Sequence, residues 1–258
     1  MRNTNAFTLC LVSFVAGIFG FFLRWLQLLN GFEDGLAIPG ATIATVFALY
    51  SLVVVLLFAG INLLLLKKRS FSTDPCVALT AGNIIPRLIM WAVAALMAIA
   101  CLILMFSSDF ARYPTMQRLT AALGIFAALC LPFLLRKKGS EEAGFSSSAA
   151  LIPVLFGCLW LVTAYRVESE NPILWSYVLE MLAIVAVTLS FYYIAAYFYG
   201  RAKPLRCVFS MQISTYLCMC TLMDSHSLGE KLLFGCLAAA MLVLEFVLFC
   251  SAAEKADK

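Results

Sequence analysis

Long apolar runs alternate with short polar connections along the whole chain. Eight runs are long enough to cross a hydrocarbon layer of about 30 Å, which takes about 20 residues of helix. They cover 6–29, 41–66, 87–106, 118–135, 149–166, 173–199, 206–223 and 231–251. Inside lipid each segment must satisfy its own backbone hydrogen bonds, so runs of this length predict helices. The expected fold is an all-α polytopic transmembrane bundle of eight helices, a single domain over residues 1–258. The connections are too short to build a soluble domain. The first run is too long and unbroken for the apolar core of a signal peptide, so it is expected to remain as a span.

The connections alternate in charge. "KKRS" (67–70), "RKKGSEE" (136–142) and "GRAKPLR" (200–206) are basic. "NGFEDGLAIPG" (30–40), "SSDFARYP" (107–114), "VESENP" (167–172) and "DSHSLGE" (224–230) are acidic or nearly neutral. Only Arg24, Arg112, Arg118, Arg166 and Lys231 fall on the second side. The positive-inside rule then places both termini in the cytoplasm, and an even number of spans agrees. Pro39, Pro114 and Pro172 fall in outer turns on this reading, and Pro75, Pro86 and Pro204 in inner ones. Tyr192, Tyr193, Tyr197 and Tyr199 crowd the inner end of the sixth run and predict an aromatic belt. Small residues four apart, Ala16/Gly20 and Gly235/Ala239, predict close helix contacts.

Composition confirms the class: 64% of the 258 residues are hydrophobic and 12% charged, against roughly 45–50% and 25% in soluble domains. The surplus apolar surface predicts a lipid bilayer as the surrounding partner. A net charge of +4 without an aromatic-interleaved basic cluster excludes nucleic acid. Either a membrane-protein partner or a homo-oligomer is compatible with such a surface.

Candidate chemistry is sparse. Of ten cysteines all but Cys76 lie in or beside apolar runs, where a thiol packs as a small hydrophobe. Cys218 and Cys220 stand about 200° apart on a helix, a poor grip on one metal. His226, the single histidine, reads as a solvated loop residue. Nucleotide, zinc-protease and serine-hydrolase motifs are missing, so no catalytic, cofactor or metal residue is assigned.

The ionisable groups inside the runs are the sharper signal. Glu180 lies in "WSYVLEMLAIVAV" (175–187), about 10 Å below the outer edge of its span by helical rise. Ser176 and Tyr177 share its helix face. Arg24 and Arg166 lie at similar depth and are the expected partners. Glu245 sits in the opposite leaflet, with Asn62, Arg87 and Arg206 as nearby polar residues. Intramembrane ionisable residues are functional candidates by default, although an ion pair that fixes packing explains them as well.

Tyr165-Arg166, Asn171-Pro172, Tyr177 and Glu180 with its aromatic tail, together with the turn Glu33-Asp34-Gly35-Leu36, form a set. In these features the chain resembles a family of uncharacterised eight-span bacterial membrane proteins. The resemblance implies a bacterial inner-membrane protein and carries no known activity.

Three readings of function remain. A non-catalytic sensor, accessory or partner subunit comes first. The alternative is a small-solute or proton-coupled transporter with an outer-leaflet carboxylate and arginine site. A membrane enzyme acting on lipid-linked substrates is disfavoured by the poverty of catalytic groups. A closed, dry bundle favours the first reading; a polar cavity reaching Glu180 favours the second.

Overall fold

The protein is described here by a computed structural model covering residues 2–33, 36–37, 42–66, 71–106, 114–135, 143–168 and 175–255. Among the described residues each predicted run coincides with a helix to within a few residues at its ends. The helices are α1 (Arg2–Asn30), α2 (Thr42–Gly60, continued as a π-helix over Ile61–Leu66), α3 (Pro75–Ala78), α4 (Ile84–Phe106) and α5 (Pro114–Leu134). α6 (Ala143–Glu168), α7 (Trp175–Phe198), α8 (Pro204–Thr221) and α9 (Leu228–Lys255) follow. Two features depart from the all-helical expectation of eight spans and loops. The four-residue α3 interrupts the connection before α4, and a two-residue antiparallel pair follows α1. In that pair β1 (Phe32–Glu33) faces β2 (Leu36–Ala37), with Phe32 opposite Ala37 and Glu33 opposite Leu36.

Pro75, Pro114 and Pro204 each open a helix, where a missing N–H costs nothing. Pro86 is the third residue of α4, so it lies in a first helical turn and not in the loop before it. Pro39 and Pro172 lie outside the described residues.

Seven of these helices are long and apolar enough to cross a membrane: α1, α2, α4, α5, α6, α7 and α9. In α8 the apolar pattern is diluted by Ser210, Gln212, Ser214, Thr215 and Thr221, all buried. A helix buries so many polar side chains only where protein surrounds it, and the packing supplies that protein. From α4 to α9 each helix packs on the next, and α9 returns to α4, closing a ring of six. α1 lies along α8 and α9, and α2 packs on α1 and α8. α8 is therefore enclosed from both sides.

The contacts also give direction. Gly20 of α1 meets Tyr216 and Cys220 of α8, and Arg24 meets Asp224 just beyond it. Ser13 lies against Glu245 of α9. α1 therefore runs parallel to α8 and antiparallel to α9, so the start of α1 and the end of α9 share one end of the bundle. At Gly20 a Cβ would stand 2.6 Å from Cys220 Sγ and Tyr216 Cε2, so the small residue there does permit close approach. Gly235 does not act so: the nearest atom, Leu222 Cδ2, is 4.0 Å from a built Cβ.

α2 buries only Phe47, Val54 and Phe58 and turns Leu49, Leu52, Val53, Leu56 and Leu57 outward. That face suits acyl chains. The expected tyrosine belt is partial. Tyr192 and Tyr199 are exposed, but Tyr197 is fully buried in the core because its helix face turns toward the bundle.

Candidate functional site

Inside one end of the six-helix ring lies a cavity of about 420 Å³. Its polar lining comes from Gln117 and Thr120 on α5, Thr163 on α6, Glu180 on α7, residues 225–227 before α9 and Glu230 in its first turn. Phe156 and Trp160 supply aromatic surface from α6. Their rings stack at 5.6 Å, and Trp160 packs at 4.9 Å on Phe234, which in turn meets His226 at 5.6 Å.

Local chemistry builds the wall at residues 224–230. Ser227 and Glu230 form a reciprocal cap on the first turn of α9. The Ser227 backbone N–H and hydroxyl both donate to Glu230 Oε2 at 3.0 Å, and the Glu230 N–H donates to Ser227 Oγ at 3.4 Å. Ser-x-x-Glu is a signature legible in the sequence, and "SLGE" (227–230) carries it, though the charge pattern of the connection does not reveal it. The cap also holds Glu230 Oε2 3.7 Å from His226 Nδ1.

His226 is not the solvated loop residue expected. Its side chain is 10% exposed, because the loop folds back over the ring and lays the imidazole on Phe234. Burial, then the charges of Lys231 and Arg24, push its pKa down to about 4, so the ring is neutral near pH 7. Glu230 Oε2, an acceptor 3.7 Å away on the Nδ1 side, favours the tautomer with its proton on Nδ1, which leaves Nε2 as an acceptor. Nε2 is buried and has no hydrogen-bond partner. Across the cavity, the Thr120 and Thr163 hydroxyls lie 2.8 Å apart, each also 2.9 Å from a carbonyl of its own helix, Met116 and Leu159; one hydroxyl donates to the other, which donates to its carbonyl.

The structure distributes the sequence candidates unevenly. Glu180 is buried, 5% exposed, and lines the cavity. Tyr177 is half-buried one turn earlier, and the Ser176 side chain lies outside what is described. Arg166 is exposed near the end of α6, two residues beyond the cavity-lining Ala164. Depth assigned Arg24 to Glu180, but the structure gives its Nε and Nη2 to Asp224 at 2.8 and 2.7 Å. Arg24 Nη1 donates to Gln27 Oε1 at 2.9 Å. Asp224 sits in a polar connection, where sequence alone gives no sign of burial, yet it is fully buried.

The second group is closer to expectation in place than in partners. Glu245 Oε1 accepts from Ser13 Oγ and Gln212 Nε2, both at 3.1 Å. Asn62 joins through Gln212, donating to its Oε1 at 2.8 Å. Among the described residues neither Arg87 nor Arg206 pairs with Glu245. Both occupy first helical turns, Arg206 exposed and Arg87 half-buried, while α1 and α8 present neutral side chains to α9.

Nine cysteines are described and all are free thiols. No cluster of three or more His, Cys, Asp or Glu able to hold a metal occurs among the described residues. Compared with known proteins, the chain matches no family model, no curated protein and no solved structure.

Proposed function

We propose that this chain is an eight-pass protein of a bacterial inner membrane that binds a small amine-bearing solute in the ring cavity and carries it inward. The observation that carries this reading is a cavity at one end of the ring, lined by both polar and apolar side chains, with Glu180 in its wall. About 420 Å³ suits a small molecule, toward the lower end of ligand-site volumes. Glu180 and the unpartnered His226 Nε2 are acceptors, so the complementary solute brings donors. The faces of Trp160 and Phe156 suit a cationic group. The eighth pass is α8, which runs beside α1 and is polar because its neighbours are protein. Charge bias places the chain ends in the cytoplasm and the cavity toward the outside.

Thermal unfolding of the purified protein against small amines, carboxylates and neutral sugars tests the binding step. Amines should stabilise it, and Glu180→Gln should weaken their effect about tenfold, the loss of one charge-assisted hydrogen bond. Stabilisation by carboxylates alone, or by nothing, would sink the reading. Amine binding without uptake into proteoliposomes would return the chain to a sensor role.

A further inference from the structure

A second polar site lies away from the cavity, toward the end of the bundle that holds the start of α1 and the end of α9. Glu245 on α9, Gln212 on α8 and Ser13 on α1 are completely buried, and Asn62 nearly so. Their hydrogen bonds have a defined direction. Asn62 Nδ2 donates to the Phe58 carbonyl at 2.8 Å, and a carbonyl can only accept. The Asn62 amide is thereby oriented, and its second N–H goes to Gln212 Oε1 at 2.8 Å. Gln212 must then present Nε2 to Glu245. With Ser13 donating to the same oxygen, Glu245 Oε1 is an acceptor twice over. Oε2 is buried with no partner, and so is Asn62 Oδ1.

Two neutral donors on one oxygen do not offset a full charge in a hydrocarbon interior. No basic side chain among the described residues pairs with Glu245. The other titratable groups here are the thiols of Cys10 on α1 and Cys250 on α9. Asn62 also stands where α2 changes from α- to π-helix, a distortion that concentrates at functional sites.

We propose that Glu245 reversibly binds a proton on Oε2, with the Asn62–Gln212 relay and Ser13 holding Oε1 as acceptor in both states. Taking up the proton converts a carboxylate to a neutral acid and releases nothing else. This site is independent of solute binding at Glu180.

Dicyclohexylcarbodiimide tests it on the full-length protein in liposomes. The reagent needs a protonated carboxyl: the acid proton moves to a carbodiimide nitrogen while the carboxyl oxygen bonds to the central carbon. Rearrangement leaves an N-acylurea that peptide mass spectrometry locates. Glu245 should be labelled in acid and lose labelling by at least about tenfold at strongly alkaline pH, as a titrating group must. Infrared difference spectra between the same pH limits should show a carboxyl C=O band that Glu245→Gln removes. If that variant fails to fold, the wild-type labelling profile decides alone. Labelling absent at every pH, or equal at every pH, would overturn the proposal. Labelling suppressed by sodium ions but indifferent to pH would overturn it too, by assigning the site to a metal cation.

Discussion

Arg24 and Asp224 form a completely buried ion pair across 200 positions of sequence, with Nε 2.8 Å and Nη2 2.7 Å from one carboxylate oxygen. The guanidinium also lies 5.9 Å over the Phe47 ring of α2. One side chain thus ties α1 and α2 to the turn that leads into the cavity wall. Burial raises the Asp224 pKa and the adjacent Arg24 charge opposes it, so the pair holds its charges by mutual proximity.

Removing one member should cost more than removing both. Arg24→Met or Asp224→Leu should each lower unfolding stability in detergent by about 3–5 kcal/mol, since a lone buried charge remains. Arg24→Met combined with Asp224→Leu should recover part of the loss. Additive losses in the double variant would show that the pair is not coupled.

Stability should fall in a defined acidic window because of His226. Its folded pKa is depressed from 6.5 to about 4, so the unfolded chain takes up the proton first. Above about pH 6.5 the group has no effect; between there and about pH 4 stability declines, by about 3 kcal/mol in all, and then levels. Glu230, Lys231 and Arg24 are the charges around it. His226→Gln should flatten that segment of a denaturation-versus-pH curve; an unchanged slope would place the imidazole in water.

Two glycines should respond in opposite ways to alanine. Gly20→Ala forces a Cβ to 2.6 Å from Cys220 Sγ and Tyr216 Cε2 and should cost about 1–3 kcal/mol by overpacking. Gly235→Ala meets Leu222 at 4.0 Å and should be neutral or stabilising by up to about 1 kcal/mol through helix propensity. Thermal unfolding of the two variants separates them.

Cysteine probes at position 33 or 168 should react with an impermeant thiol reagent applied outside intact cells, and one at 137 should not. External labelling at 137 would reverse the proposed orientation.

Hydrophobic run length settles the helices locally, which is why α4 and α9 begin within three residues of the runs at 87 and 231. Lipid asks of each segment only that it be long, apolar and internally hydrogen-bonded, and those are properties of neighbouring residues. Glu180 and Glu245 also stood out locally, as charges among apolar side chains, and the Ser227–Glu230 cap is equally local. The partners were not legible. Arg24 with Asp224, Glu245 with Ser13 and Gln212, and His226 against Phe234 depend on which helix faces which, and the apolar packing around these contacts carries no sequence code for adjacency. Tertiary structure alone decided that α4 to α9 close into a ring. The packing of α1 and α2 on that ring makes polar α8 an interior helix, and the ring encloses a cavity whose wall holds both Glu180 and His226.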